Sequence, residues 1–453
     1  MKTSIRNRLG CKGRNPLANL AVGFVIFTGL QMPAAAESVD FVSAMQQTLQ
    51  YNDDLLSKHS QLNADAEQIN QAWAQVKPQI SASAIKGRGE YSTSFVKDEK
   101  ETYQRLNLNL VQPVYSRKRF LGIDRSEAAV ASQEAVFSLD QQTKLVEMAQ
   151  SYIEVLKFQE AVRISDLELN DHVKRIEQLE AMLERGLSNK VDLLEAQSRY
   201  DVLRSNLVRD QNDLKVAQKS LGRILGTPVT EVDSLNSQLW KRADHILEQG
   251  DWVSLALQNS QTIDVAKKRL KASEIDVDFA KAEYWPEVSL RMTIGDSETY
   301  ENSIEKDKKI QLELNMPLYE GGMTNSRVTA ARYQVESETY FLEDQKRFIQ
   351  FKMDEIMARL EGSIANIESL EKSKVSNQAY LDSAQKGLTY GLRGVFDVLE
   401  AKARGYEVER RLIFEIHDNI MAQIEFLYLI GQLSPAGVES YLKSDFSMSA
   451  LKS

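Results

Sequence analysis

One stretch constrains the fold of this chain more than any other, because it occurs twice. The later copy reads Lys386-Gly-Leu-Thr-Tyr-Gly-Leu-Arg-Gly-Val-Phe-Asp-Val-Leu-Glu-Ala401 and the earlier one Glu184-Arg-Gly-Leu-Ser-Asn-Lys-Val-Asp-Leu-Leu-Glu-Ala196. Gly186-Leu187 aligns with Gly391-Leu392, Asp192 with Asp397, and Glu195-Ala196 with Glu400-Ala401, each pair 205 positions apart. Both copies follow a long helical pattern and open a second one. Glycine tolerates the left-handed conformation that ends helices. Asn189 has the chemistry of a helix cap, and Asp192 falls where the helix dipole favours an acid. Each copy therefore predicts the tip of a helical hairpin, and the chain is a duplication.

Proline marks the joints of the two halves. Pro78, Pro113 and Pro228 recur as Pro286, Pro317 and Pro435, at separations of 208, 204 and 207 positions. Proline ends helices and is excluded from the interior of strands. The long intervening stretches are rich in Ala, Leu, Gln, Glu, Lys and Arg, which favour helix. Each half reads as helix, proline, short strand, loop, short strand, proline, very long helix, tip, helix. The strands alternate. Ile310, Leu312, Leu314 and Met316 interleave with Gln311, Glu313 and Asn315, and Val288, Leu290, Met292 and Ile294 with Ser289, Arg291 and Thr293. Leu106, Leu108 and Leu110 interleave with Arg105, Asn107 and Asn109, while the phase drifts over residues 80–86. Alternation gives one apolar and one polar face. That fits a half-buried soluble sheet, and it also fits the strands of a membrane barrel. Residues 89–102 and 296–309, polar and charged, read as the connecting loops.

The helical patterns are too long for a compact domain. Residues 119–184 and 323–390 each span roughly 100 Å at about 1.5 Å per residue. Val173, Ile176, Leu179 and Leu183 in the first, and Met353, Ile356, Leu360, Ile364 and Ile367 in the second, form narrow coiled-coil seams. Residues 38–77 and 189–225 read as two shorter helices that together match one long one. If the four strands face lipid, open edges are forbidden. Four strands cannot close a barrel, for which about eight is the practical minimum. The chain must then borrow strands from copies of itself.

Residues 1–36 carry Lys2, Arg6, Arg8, Lys12 and Arg14, then the apolar run 17–30, then small residues at Ala34 and Ala36. This is the pattern of a secretory signal peptide cut after Ala36. Removing its five basic residues and no acid moves the formal charge from −9 to −14. An acidic exported chain has no electrostatic reason to bind nucleic acid. The lone Cys11 leaves with the signal. His59, His172, His245 and His417 are scattered without metal-ligand spacing, and no nucleophile motif or phosphate loop is present. The sequence thus argues against an enzyme and implies no cofactor and no metal.

With the signal, the duplicated turns Pro113-Val-Tyr115 and Pro317-Leu-Tyr-Glu-Gly-Gly322, and the two tips in hand, residues 39–433 resemble the TolC-like outer-membrane efflux proteins. The resemblance implies a mainly α fold with a membrane β-barrel: a long coiled-coil α-hairpin tube plus four strands per chain. Three copies would build a trimeric twelve-stranded barrel in the outer membrane and a tube through the periplasm. The implied domains are the signal peptide 1–36, a first repeat 37–226, an equatorial linker 227–250, a second repeat 251–433 and an equatorial tail 434–453. The implied function is a passive export duct, for protein (type I secretion) or for small toxic molecules. Its partners would be a periplasmic adaptor, an inner-membrane ABC or proton-driven transporter, and outer-membrane lipid. Gly186, Leu187, Ser188, Gly391, Leu392 and Arg393 would form the adaptor-docking tips. Asp397 and Glu400 would form the acidic mouth of the closed pore, with Arg393 and Asp192 as candidate links between the tip helix pairs. The family's tyrosine link does not carry over, because Leu388 occupies its position. Pro113, Tyr115, Pro317, Tyr319, Gly321 and Gly322 would mark the junction of barrel and tube. There Ser116-Arg-Lys-Arg119 departs from the family's Gly-Gly. A structural coiled-coil envelope protein without a pore is the alternative.

Overall fold

The computed structural model describes residues 38–443 except 94–95, 187–188, 249 and 300–302, with the backbone alone for 90–93, 96–102, 297–299, 303–305 and 443. The expected signal peptide lies outside the described residues.

Two helices, α1 (Phe41–Tyr51) and α2 (Asp53–Ala74), replace the single helix expected over 38–77. Asn52 makes the break. Its backbone turns extended, its side chain accepts from Leu55 N at 3.3 Å to start α2, and its amide donates to the Ile224 carbonyl at 2.8 Å. One asparagine thus caps a helix and ties it to a neighbour 172 residues away. Then come β1 (Gln79–Thr93), β2 (Val96–Ser116), α3 (Arg117–Glu184) and α4 (Lys190–Leu225). Short helices α5 (Arg242–Glu248) and α6 (Trp252–Asn259) lead into the second half: α7 (Gln261–Lys281), β3 (Glu287–Thr299), β4 (Ser303–Asn315), α8 (Met323–Thr389) and α9 (Val395–Leu429). The last described element is α10 (Pro435–Lys443).

The 68-residue α3 lies against α2 and α4, and the 67-residue α8 against α7 and α9. Each long helix is thus matched by shorter ones laid along it, and α3 also packs on α7 and α9. The second seam is buried at all five expected positions, Met353, Ile356, Leu360, Ile364 and Ile367. In the first only Leu179 is fully buried.

The main core gathers around the middle of the tube, where α1, α3, α4, α8 and α9 meet the linker. Phe41, Met45, Met148 and Tyr152 pack with Leu239, Trp240, Ile246 and Phe426. The Tyr152 hydroxyl lies 2.8 Å from the carbonyls of both Val39 and Asp233, so it pins the start of the chain and the linker to α3. Val39 pairs with Val232 in a parallel bridge, and α10 lies on α1.

The sheet is antiparallel in the order β1-β2-β3-β4, so β1 and β4 each keep one edge unpaired. Its hydrogen bonds run through the segments expected as loops, as far as Thr93↔Val96 and Thr299↔Ser303. Ladders form between backbone groups, whatever the side chains. Where the side chains cease to alternate the sequence signal is lost, although the ladder continues. The strand β2 also runs past Pro113, where a stop was expected. The register shifts between Pro113 and Tyr115, so the proline sits at an irregularity where the ladder does not need its missing N–H.

Candidate functional site

Register sorts the sheet into two faces. Ile80, Leu110, Met292 and Ile310 stand in one row. Ala82, Leu108 and Ile294 follow above it, and Leu290 and Leu312 below. This face is apolar and open; Leu312 and Leu314 are each 69% exposed. On the other face Arg291 bridges Glu313 at 2.7 Å, and the Thr293 hydroxyl donates to Asn109 at 3.0 Å. Ile85 falls on the polar face, which is the drift seen in the sequence. A contiguous apolar face of this size, bounded by two unpaired edges, is built for lipid and for more strands.

The sheet joins the helices through two different turns. In the second half the chain passes Pro317, Tyr319 and the left-handed Gly321 and Gly322 (φ 61° and 90°) into α8. In the first half β2 runs straight into α3, and Ser116 Oγ caps the helix by accepting from Arg119 N at 3.2 Å. The serine hydroxyl donates to Glu287 at 2.5 Å. The departure from Gly-Gly is therefore a different solution, an extended serine cap needing no left-handed residue. Glu283 clamps both long helices, bonding Lys118 of α3 at 2.8 Å and Arg327 of α8 at 2.7 Å.

Tyr115 and Tyr319 both lie at this level, the latter 89% exposed. Sequence reasoning missed their companions Trp73, Tyr284 and Trp285, all exposed, with the Arg117 guanidinium 4.8 Å from the Trp285 ring. Aromatic residues with a polar edge favour a membrane–water interface. Trp285 stands directly before the paired Pro286, a position that could have flagged it.

At the far end both tips turn through left-handed glycines, Gly186 at φ 70° and Gly391 at φ 68°. Leu187 and Ser188 lie outside the described residues. In the second tip, Leu392 N and Arg393 N both donate to the Gly387 carbonyl, at 2.8 and 3.2 Å. The Arg393 stem folds so close over Gly387 that a Cβ there would lie 2.7 Å from it. That role of Gly387 went unread in the sequence. Leu392 is 79% exposed, with Tyr390 beside it, so neither packs into its own hairpin. Asp397 Oδ2 accepts from Gly394 N at 2.8 Å, capping α9, and its other oxygen is 3.8 Å from Arg393. Glu400 bridges Arg404 at 2.6 Å. Asn189 caps α4 by accepting from Asp192 N at 2.8 Å. Within one chain Arg393 meets Asp397, and among the described residues no ion pair joins it to Asp192.

Above the tips the hairpins are held together by a polar seam that the sequence did not reveal. Asp171 of α3 accepts from Lys402 at 2.7 Å and Tyr406 at 2.8 Å, both on α9. Asp210 of α4, 1% exposed, accepts two bonds from Arg410 of α9, each 2.8 Å, and a third from Ser165 of α3 at 2.6 Å. Burial opposes ionisation of both aspartates, but these bonds outweigh it and hold both below the ordinary carboxylate range. Glu168, without such bonds, is pushed up by burial. His172, one turn further, is pushed down by burial and by Arg199. An open cleft of about 1100 Å³ lies beside this seam, lined by Glu195, Arg199, Glu400, Arg404 and Glu407.

Helices about 100 Å long, bearing a sheet that is apolar on one side and open at both edges, define a subunit of a membrane-spanning channel. Comparison with known proteins agrees. The profile described as outer membrane efflux protein matches residues 44–227 and 252–414. The chain is similar to outer membrane protein TolC of Salmonella enteritidis, 23% identical over 88% of this chain and 83% of that one. It is also similar to the alkaline protease secretion protein AprF of Pseudomonas aeruginosa, 22% identical over 73% and 70% of the two chains. Among solved structures, the outer membrane protein VceC from Vibrio cholerae superposes with a TM-score of 0.73 at 17% identity, covering 86% of this chain and 96% of that one. The chain belongs to the outer membrane efflux protein family. It is an outer-membrane channel protein whose helices extend into the periplasm.

Proposed function

We propose that three copies of this chain close one barrel and one tube, forming a passive duct for type I secretion or efflux. The open-edged, one-sidedly apolar sheet carries this reading, because lipid forbids both unpaired edges. Each β4 edge then pairs with the β1 edge of the next copy. The polar face of the sheet lines the lumen and the apolar face meets lipid. Residues 1–36 act as the signal that exports the chain. Multi-angle light scattering in detergent should give a trimer, and planar-bilayer recording should give discrete channels. A folded monomer without conductance would overturn the proposal and revive the pore-free envelope protein.

The tips are the docking site for a periplasmic adaptor, which links the duct to an inner-membrane transporter. Exposed Leu392 and Tyr390 support this, since solvent alone favours polar residues there. In the trimer Asp397 and Glu400 form stacked acidic rings at the pore mouth, and Arg393 exchanges its partner Asp397 for Asp192 of a neighbouring hairpin. Asp397→Asn keeps a cap acceptor and, with Glu400→Gln, should weaken cation selectivity and block by divalent cations. Unchanged selectivity and block would place both carboxylates away from the pore. Leu392→Asp should abolish export while leaving the trimer intact, and surviving export would move the docking site elsewhere.

A further inference from the structure

The apolar face of the sheet ends abruptly on its way toward the hairpin turns. On β1 the run Ile80, Ala82, Ala84 gives way to Lys86 and then Arg88. On β4 the run Leu314, Leu312, Ile310 gives way to Lys308 and then Lys306. Since side chains alternate, these four cations stand on the same face as the apolar runs, at the first and second places beyond them. All four are exposed, and none makes an ion pair among the described residues. The inner strands differ. The corresponding first place holds Gln104 on β2 and Asp296 on β3. The cations are confined to the two free edges.

Those edges meet when the barrel closes. All apolar runs must sit level in one bilayer, so their upper borders coincide around the barrel. Lys86 of one copy and Lys308 of the next then share a height, as do Arg88 and Lys306. Adjacent strands are about 4.8 Å apart, and successive same-face residues about 7 Å. Four like charges within such a patch repel, and like charges facing each other across strands are destabilising. Asp296 stands opposite Lys306 and offsets one of these charges, so a closing seam keeps an excess of cations that anions can balance. The patch faces outward at the rim of the hydrocarbon. Its ligand must lay acyl chains on the apolar belt and present negative charge at its border.

We propose that Lys86 and Arg88 of one copy, with Lys306 and Lys308 of the next, bind the phosphates of an anionic, acylated lipid at each seam. The proposal rests on the trimer reading above. Detergent-solubilised protein should first be sized by light scattering; a monomer would refute the trimer and with it the seam. Trimer should then be titrated, by native mass spectrometry, with a bisphosphorylated acyl-disaccharide lipid, its dephosphorylated form and inorganic phosphate. The phosphorylated lipid should bind up to once per seam, about tenfold or more tighter than the dephosphorylated form. The variant K86Q/R88Q/K306Q/K308Q should remain trimeric and lose that preference, while R105Q, on the lumen face, should keep it. Equal binding of the two lipids, or an unchanged preference in the quadruple variant, would overturn the site. Displacement by equimolar inorganic phosphate would show a small-anion site and overturn the lipid assignment.

Discussion

Asp210→Ala should loosen the two hairpins from each other above the tips. The carboxylate is 1% exposed and satisfies three donors, two on Arg410 and one on Ser165. Removing one partner of a buried ion pair costs roughly 3–5 kcal/mol, because the other charge is stranded. Arg410 keeps 27% of its side chain in solvent, so its stranded charge is partly hydrated. That discount brings the expected cost to about 2 kcal/mol, with Ser165 losing its acceptor as a smaller part. The natural assay is native-state hydrogen exchange of the α9 amides around Arg410, which reports local opening. A loss of about 2 kcal/mol accelerates exchange roughly 30-fold where exchange follows the opening equilibrium. Arg410→Met should cost a similar amount, and Asp210→Ala combined with Arg410→Met should recover most of the loss. A coupling energy below about 0.5 kcal/mol, or additive losses in the double variant, would refute the seam as a coupled unit. The pH dependence has a fixed sign. The folded pKa of Asp210 is depressed, so its contribution is full above the unfolded value near about 3.9 and disappears as pH falls through the folded one.

Glu168 should behave oppositely: its folded pKa is raised, so it destabilises above that value and ceases to do so below the ordinary carboxylate range. Glu168→Gln should therefore slow exchange in α3 at pH 7 and lose that effect as pH falls below the ordinary carboxylate range; a loss of protection at pH 7 would contradict this. Tyr152→Phe should cost about 1 kcal/mol, because the Val39 and Asp233 carbonyls lose their shared donor, and thermal unfolding would register it. Two glycines with open space around their missing side chains should respond with opposite signs. Gly391→Ala strains a left-handed backbone by about 1 kcal/mol, while Gly362→Ala, inside α8, should gain roughly 0.5–1 kcal/mol. Equal signs in a thermal-shift comparison would show that backbone conformation does not decide them.

The elements were legible where one local rule acts alone. Glycine tips, paired prolines and three-four apolar spacing each depend on a few neighbouring residues, and α4, α8 and the alternating strands lie close to where those rules put them. The errors fell where a second partner decides. Asn52 breaks a helix because the Ile224 carbonyl is there to receive it, and nothing within 38–77 carries that information. The sheet continues beyond the alternating region because its ladder needs only a paired backbone, so charged residues over 89–93 and 96–102 look like loop and are strand.

The same reasoning explains why the site was only partly visible. Asp397 and Glu400 could be singled out as an i, i+3 pair on a first turn. Their actual partners, the Gly394 amide and Arg404, are equally local, and both belong to the same helix start. Asp171 and Asp210 gave no such sign, because each looks like one more acid on a charged helix. Their partners lie 231 and 200 residues away, on α9. Burial turns those ordinary charges into the contacts that fix one hairpin against the other. The contacts along these hairpins differ in how easily they can be exchanged. The exposed, single Arg393–Asp397 contact at 3.8 Å is weak and screened by solvent. The buried, three-bonded Asp210 cannot be released without stranding a charge, so the seam at Asp210 holds the two hairpins together above the tips.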